Sequence, residues 1–371
     1  MLGKYRALWL NKDGFLEVID QTKLPFEQQS KVLKTTDEVV EAIKDMTVRG
    51  AGVIGSVAAF GIYTAAMELN ESYKVSSSER EGSLGYEKLQ AKALLIRESR
   101  PTAVNLMWAV DKMMEFLKNS NDLVNDAKRY AIELNDKEAL ESQKIAEYGC
   151  DIIENILKKK NKTKINILTH CNAGWLAVID EGTALAPIYE AQRRGIDVHV
   201  WVDETRPRNQ GASLTAWELT QSGINHTIIA DNTGGHLMQI GEVDMVITGA
   251  DRVSANGDVA NKIGTYLKAL AAYDNNVPFY VAIPASTFDF DIIDGLKDIP
   301  IELRSADEVR CIKGVDADGV IREVLITPKD SPAINYGFDV TPARLITGLI
   351  TNKGVCEADF DKIKEKFIVE K

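Results

Sequence analysis

The chain has 371 residues, 45% of them hydrophobic and 27% charged, and carries a formal net charge of -11 at neutral pH. That balance describes a folded globular protein long enough for two domains, and its acidic field, with no compensating run of lysine and arginine, excludes a nucleic-acid partner. The N-terminal MLGKYRALWLNKDGF lacks the apolar core and cleavage site of a secretory leader, and scattered cysteines and histidines, without CxxC or HExxH spacing, fit a reduced, cytoplasmic compartment and predict no metal.

In chain order, RALWL and GFLEVID alternate apolar and polar before QTKLP, which predicts a small hairpin or edge structure. From Thr36, TDEVVEAIKDM has a capping-type start and apolar residues at helical spacing. Further helices are expected at GVIGSVAAFGIYTAAMEL, YEKLQAKALLIRES, TAVNLMWAVDKMMEFLKN and over much of 122–160, with SYKVSSSEREGSLG a polar loop between two of them. GVIGSVAAFGIYTAAM is short and rich in glycine and alanine, so it reads as a buried helix and no membrane partner is expected. GAGVIG at 50–55 matches the dinucleotide fingerprint, but that fingerprint needs a strand before it and an acidic strand end after it. Flanked instead by helical patterns, it reads as a glycine-rich helix start.

KKKNKTK at 158–164 marks the change from a mainly helical domain, 1–160, to a second domain, 161–371, where short apolar runs alternate with helices in the βαβ rhythm. Candidate strands are INILTH, DVHVWVD, HTIIAD, DMVITG and FYVAIP. If they are parallel, right-handed crossovers put Cys171-Asn172, Glu204-Thr205-Arg206, Asp231-Asn232, Gly249-Ala250-Asp251 and Pro284-Ala285 on one edge of one α/β sheet. GVDADG reads as a turn, and FDVTPARLITGLITNKGV as a strand-turn-helix segment.

The most informative stretch is VDMVITGADRVSANGDVANKIGTY, in which Asp251 follows an apolar strand and Asn261 and Lys262 are expected at the start of a helix. Asp251 reads as a helix cap, as a partner of Arg252, or as an acid in a site. Cys171 is a small core hydrophobe or a positioned thiol. Arg49 precedes a helix N-terminus, where arginine and backbone N–H groups hold phosphate, and Arg100 begins SRPTAVNL, either as a surface ion pair or as a ligand residue. One thiol, one carboxylic acid, a lysine, arginines and amides fit proton or hydride rearrangement on a phosphorylated small molecule, without metal or redox cofactor.

LTHCNAG, DETRPRNQGASLTAWEL, DN followed by HLM, GADRVSANGDVANKIGTY, RPTAVNL and FDVTP together resemble the methylthioribose-1-phosphate isomerases of methionine salvage, a family related to the regulatory subunits of the translation-initiation exchange factor. The likeness runs from DQTKLP to FDVTPARLITGLITNKGV. It implies an N-terminal helical domain, a Rossmann-like parallel-sheet domain, a homodimer, no cofactor and a small phosphorylated sugar as substrate. By motif matching it also implies a catalytic pair, Cys171 and Asp251, and a substrate-binding set of Arg49, Gly50, Ala51, Arg100, Gln210, Asn261 and Lys262. Three departures stand out: RGAG has Gly52 where the family usually has proline, bulky Trp175 follows THCNAG, and Asp289 to Tyr336 fits the pattern poorly. They leave open a paralogue acting on 5-deoxyribose 1-phosphate or ribose 1,5-bisphosphate. A noncatalytic binding protein like the regulatory subunits is the reading from a different class.

Overall fold

In the computed structural model the described residues are 6–75, 82–100 and 104–367. They fall into two compact units, one drawn from Met1–Lys23, Glu27–Ser142 and Trp175–Gly182, the other from Leu24–Phe26, Gln143–Gly174 and Thr183–Lys371.

The first unit opens with antiparallel strands β1 (Leu8–Leu10), β2 (Leu16–Ile19) and β3 (Ser30–Leu33), so the expected hairpin gains a third strand. Helix α1 (Thr36–Lys44) begins with a capping box: the Thr35 hydroxyl accepts from the Glu38 N–H and the Glu38 carboxylate accepts from the Thr35 N–H. Helix α2 (Ala51–Val75) packs against α3 (Gly82–Arg97) and α4 (Val104–Leu117), and α5 (Leu123–Lys160) follows. Over Ala51–Asn70, α2 is in fact long and apolar enough to cross a membrane, so length was the wrong ground for excluding a span. Its burial, 83% of the apolar window, marks it as a core helix. The expected polar loop SYKVSSSEREGSLG is shorter than its pattern, since its first four residues still belong to α2 and its last four already to α3; its middle, residues 76–81, and the expected proline start of the next helix at Pro101 lie outside the described residues.

The second unit is built on seven strands. In chain order its elements are β4 (Lys164–Thr169), α6 (Ala186–Arg193), β5 (Asp197–Asp203), α7 (Ala216–Gln221), β6 (Asn225–Ile229), α8 (Thr233–Gln239), β7 (Met245–Thr248), β8 (Arg252–Ser254), β9 (Val259–Lys262), α9 (Thr265–Asp274) and β10 (Phe279–Ile283). There follow β11 (Phe288–Asp289), β12 (Cys311–Val315), β13 (Ile321–Leu325), β14 (Phe338–Thr341), β15 (Gly348–Thr351) and β16 (Gly354–Cys356). The main sheet has the order β16-β15-β10-β7-β4-β5-β6, parallel throughout except for β16 at one edge. From β4 the chain builds outward through β5 to β6, then returns to lay β7 on the other side of β4. The order therefore reverses between β4 and β7, and open parallel sheets leave a crevice at the carboxyl ends of such a pair. Central β7 is buried at all four residues, whereas edge strand β6 is mostly exposed, as burial on two faces or one requires. Leu168, Val246, Phe279, Val281 and Leu349 form the adjoining core.

Two local expectations fail. Asn261 and Lys262 close β9 rather than opening a helix; α9 starts only at Thr265, after Gly264 in the left-handed region. GLIT is strand β15, not a helix, because it completes the sheet beside β10. In both places pairing with distant chain overrides the local pattern. GVDADG does turn the chain, between β12 and β13.

Candidate active site

Cys171 stands two residues beyond β4 with φ of 65°, a conformation that an L residue holds only when its surroundings enforce it. The enforcement comes from two threonines. The Cys171 N–H donates to Thr205 Oγ1 at 2.8 Å, and its carbonyl accepts from Thr215 Oγ1 at 2.7 Å. Thr215 closes a π-helical turn, Gly211–Thr215, and Gln210 stands immediately before that turn. Such turns re-aim backbone and side chains, and they concentrate at functional sites. Gln210 is 6% exposed and, among the described residues, its Oε1 has no hydrogen-bond partner.

Asp251 lies three residues beyond β7 and is exposed. Between them Gly249 is required by close approach: a Cβ there would stand 2.7 Å from the Ala173 Cβ, so the loops after β4 and β7 touch. The Asp251 N–H donates to the Ala260 carbonyl at 3.0 Å, which ties it beside Asn261. Asn261 Nδ2 donates to Thr265 Oγ1 at 3.0 Å. Lys262 is buried, donates to the Gly337 carbonyl at 3.0 Å and sits 4.7 Å from the centre of the Phe338 ring. Five of the residues singled out in the sequence, Cys171, Gln210, Asp251, Asn261 and Lys262, thus belong to the carboxyl edge of this unit. Asp339 receives N–H bonds from Gly264 and Tyr266 at the start of α9 at 2.7 and 3.1 Å; burial nevertheless holds its carboxyl above the usual carboxylate range.

Behind Cys171 lies a polar cluster that sequence reasoning missed. His170 Nδ1 is 2.9 Å from Asp203 Oδ2 and its Nε2 is 2.9 Å from the Ile263 carbonyl. Both ring nitrogens thus have an oxygen partner within hydrogen-bond distance, which fixes the orientation of the ring. Lys268 Nζ is 3.2 Å from Asp203 Oδ2 and also donates to the Asp231 carbonyl, while the Asp231 carboxylate accepts the N–H groups of Thr205 and Arg206 at 2.7 Å each. Ligand atoms of His170, Asp203 and Asp231 lie within 4.8 Å of one another, close enough for a cation, but the Lys268 ammonium already supplies the positive charge there. His170 sits inside LTHCNAG and Asp203 ends DVHVWVD, so position was the available signal; Lys268 offered none.

Arg49, Gly50, Ala51 and Arg100 belong to the first unit. Gly50 has φ of 93° and is pressed on Ala177, whose carbonyl accepts the Val53 N–H at 2.9 Å. Among the described residues no acceptor is seen for the N–H groups of Gly50, Ala51 and Gly52, the ordinary state of a helix's first turn. Arg100 lies in the bend after α3.

The chain matches the Initiation factor 2 subunit family over residues 47–358. It is 76% identical over 370 residues to the methylthioribose-1-phosphate isomerase of Sulfurimonas denitrificans, with 99% of each chain covered. With the methylthioribose-1-phosphate isomerase of Desulfatibacillum aliphaticivorans it shares 53% identity over 98% of this chain and 97% of that one. Among solved structures, 5-methylthioribose 1-phosphate isomerase from Pyrococcus horikoshii OT3 superposes with a TM-score of 0.83 at 36% identity, covering 99% of this chain and 97% of that chain. Translation initiation factor eIF-2B subunit delta from A. fulgidus gives 0.81 at 33% identity, covering 99% and 100%. On a family match spanning most of its length and relatives this similar from end to end, the chain belongs to the Initiation factor 2 subunit family and is a full-length relative of its methylthioribose-1-phosphate isomerases.

Proposed function

We propose that this chain is an aldose–ketose isomerase converting 5-methylthioribose 1-phosphate to 5-methylthioribulose 1-phosphate in methionine salvage. The observation that carries the site is topological: Cys171 and Asp251 follow the two neighbouring strands between which the sheet order reverses, the crevice of a Rossmann-like domain. The full-length identity to isomerases carries the substrate.

The phosphate on the anomeric oxygen prevents such a furanose from opening to a free aldehyde, so the ring needs an acid. Asp251 protonates the ring oxygen as its bond to C1 breaks. Hydrogen then passes from C2 to C1, by enolisation or as a hydride, and the C2 hydroxyl gives up its proton as the ketone forms, with Cys171 assisting. The proton gained by the ring oxygen balances the one lost from the C2 hydroxyl, so no cofactor enters the stoichiometry. Arg49, Gly50, Ala51, Arg100, Gln210, Asn261 and Lys262 hold the substrate.

The purified protein, offered methylthioribose 1-phosphate, 5-deoxyribose 1-phosphate and ribose 1,5-bisphosphate with the ketone followed by NMR, is expected to turn over the first fastest. Preference for another would reassign the C5 group, and turnover of none would refute the isomerase reading. The protein acts in the cytoplasm as a homodimer, which light scattering at micromolar concentration tests; a monomer with full activity would refute the dimer.

A further inference from the structure

Gly52 has an ordinary helical backbone in the first turn of α2, yet a side chain there has no room. Its Cβ would lie 1.9 Å from Glu138 Oε1 and 3.1 Å from the Val178 Cα. The carboxyl of Glu138, reaching in from α5, thus occupies the volume that residue 52 would fill. Its other oxygen accepts the Ser56 hydroxyl at 2.9 Å, and Ser56 is one helical turn from Gly52 on the same face. All of these residues lie in the first unit.

We infer that Glu138 is a positioning residue for the anion-binding turn Arg49–Gly52: its neutral carboxyl props the start of α2 for a phosphate, and its ionised form opposes that phosphate. This rests on the reading of Arg49-Gly50-Ala51 as the phosphate turn. The charge bookkeeping supports it. The hydroxyl of Ser56 is neutral, α5 adds the like charge of Glu141, and the segment from Trp175 to Gly182 carries no lysine or arginine, its ionisable groups being Asp180 and Glu181. Burial without a cation pushes the Glu138 carboxyl up to about 7, with Glu141 adding to the rise and the Ser56 bond opposing it. An incoming dianion favours the neutral form, so binding above neutrality takes up a proton.

Sulfate, which stays a dianion from pH 6 to 9, is the probe that keeps ligand titration out of the measurement. Its dissociation constant, from calorimetry and from competition with the isomerase reaction, should rise about tenfold between pH 6 and 8.5 in the wild type. Glu138→Gln keeps the shape and the Ser56 bond but cannot ionise, and should bind sulfate with little pH dependence. Gly52→Ala collides chiefly with the flexible end of Glu138, its contact with the Val178 backbone at 3.1 Å needing a shift of only a few tenths of an ångström, and should expel the carboxyl, so this variant should also lose the dependence, and the double variant should be no worse than either single one. Persistence of the wild-type slope in Glu138→Gln, or in Gly52→Ala should Glu138→Gln not fold, overturns the proposal while leaving the phosphate turn intact. An unchanged sulfate affinity in Arg49→Ala would instead remove the turn itself, and the proposal with it.

Discussion

His170 Nδ1 and Asp203 Oδ2 lie 2.9 Å apart, joining the ends of β4 and β5 one residue before Cys171. Asp203 is fully buried and faces the Lys268 ammonium as well. Removing it leaves two cationic or proton-donating groups without their acceptor, and breaking a buried pair from one side costs about 3–5 kcal/mol. Asp203→Ala should therefore lower the urea midpoint strongly, with Asp203→Asn intermediate. An unchanged midpoint for Asp203→Ala would show that the cluster contributes nothing to the fold.

Asp251→Asn keeps an exposed side chain's shape and removes its proton, so stability should stay within about 0.5 kcal/mol of wild type. Cys171→Ala deletes one sulfur at a strand end. Turnover should fall about a hundredfold or more in each, the usual cost of a positioned acid or base. Near-normal rates in both folded variants would remove the catalytic pair.

Lys262 is a mixed case, since it is buried, bonded to the Gly337 carbonyl and stacked near Phe338. Lys262→Ala should raise KM about tenfold, reduce turnover and cost about 1–3 kcal/mol of stability, because a buried acceptor loses its donor. If thermal unfolding shifts and KM does not, Lys262 is structural only.

The pH dependence of stability follows from Glu138. Burial raises its carboxyl in the folded protein from the ordinary glutamate range to about 7. A raised carboxyl contributes most below its unfolded pKa, and that contribution is lost as pH rises through the folded one. Glu138→Gln should therefore match the wild type near pH 4.5 and unfold a few degrees higher at pH 8. A constant difference in Tm across that range would show that Glu138 does not titrate in the fold.

Much of this protein was written in short-range pattern. The apolar runs of β4, β5, β7 and β10, the capping of α1 and the polar residues that end each strand are legible because burial and hydrogen bonding constrain a few neighbouring residues at a time. The motifs around Cys171 and Asp251 likewise carried their resemblance without any coordinates. The strand order was not legible: nothing near β7 says that it lies beside β4, and that adjacency sets the loops that follow the two strands side by side. Asn261 and Lys262 were misread as a helix start because their partner strand, β14, lies some 75 residues on, where local periodicity has no reach. Lys268 looked like any helix lysine until folding set it against Asp203, and Gly52 was only a departure from the family's usual proline until Glu138 filled its place. The sequence by itself determined most of the helices, the strands β4, β5, β6, β7 and β10 and the residue types that end them. Tertiary structure alone decided which of those residues meet, since contact between distant segments is set by sheet order and packing rather than by spacing along the chain.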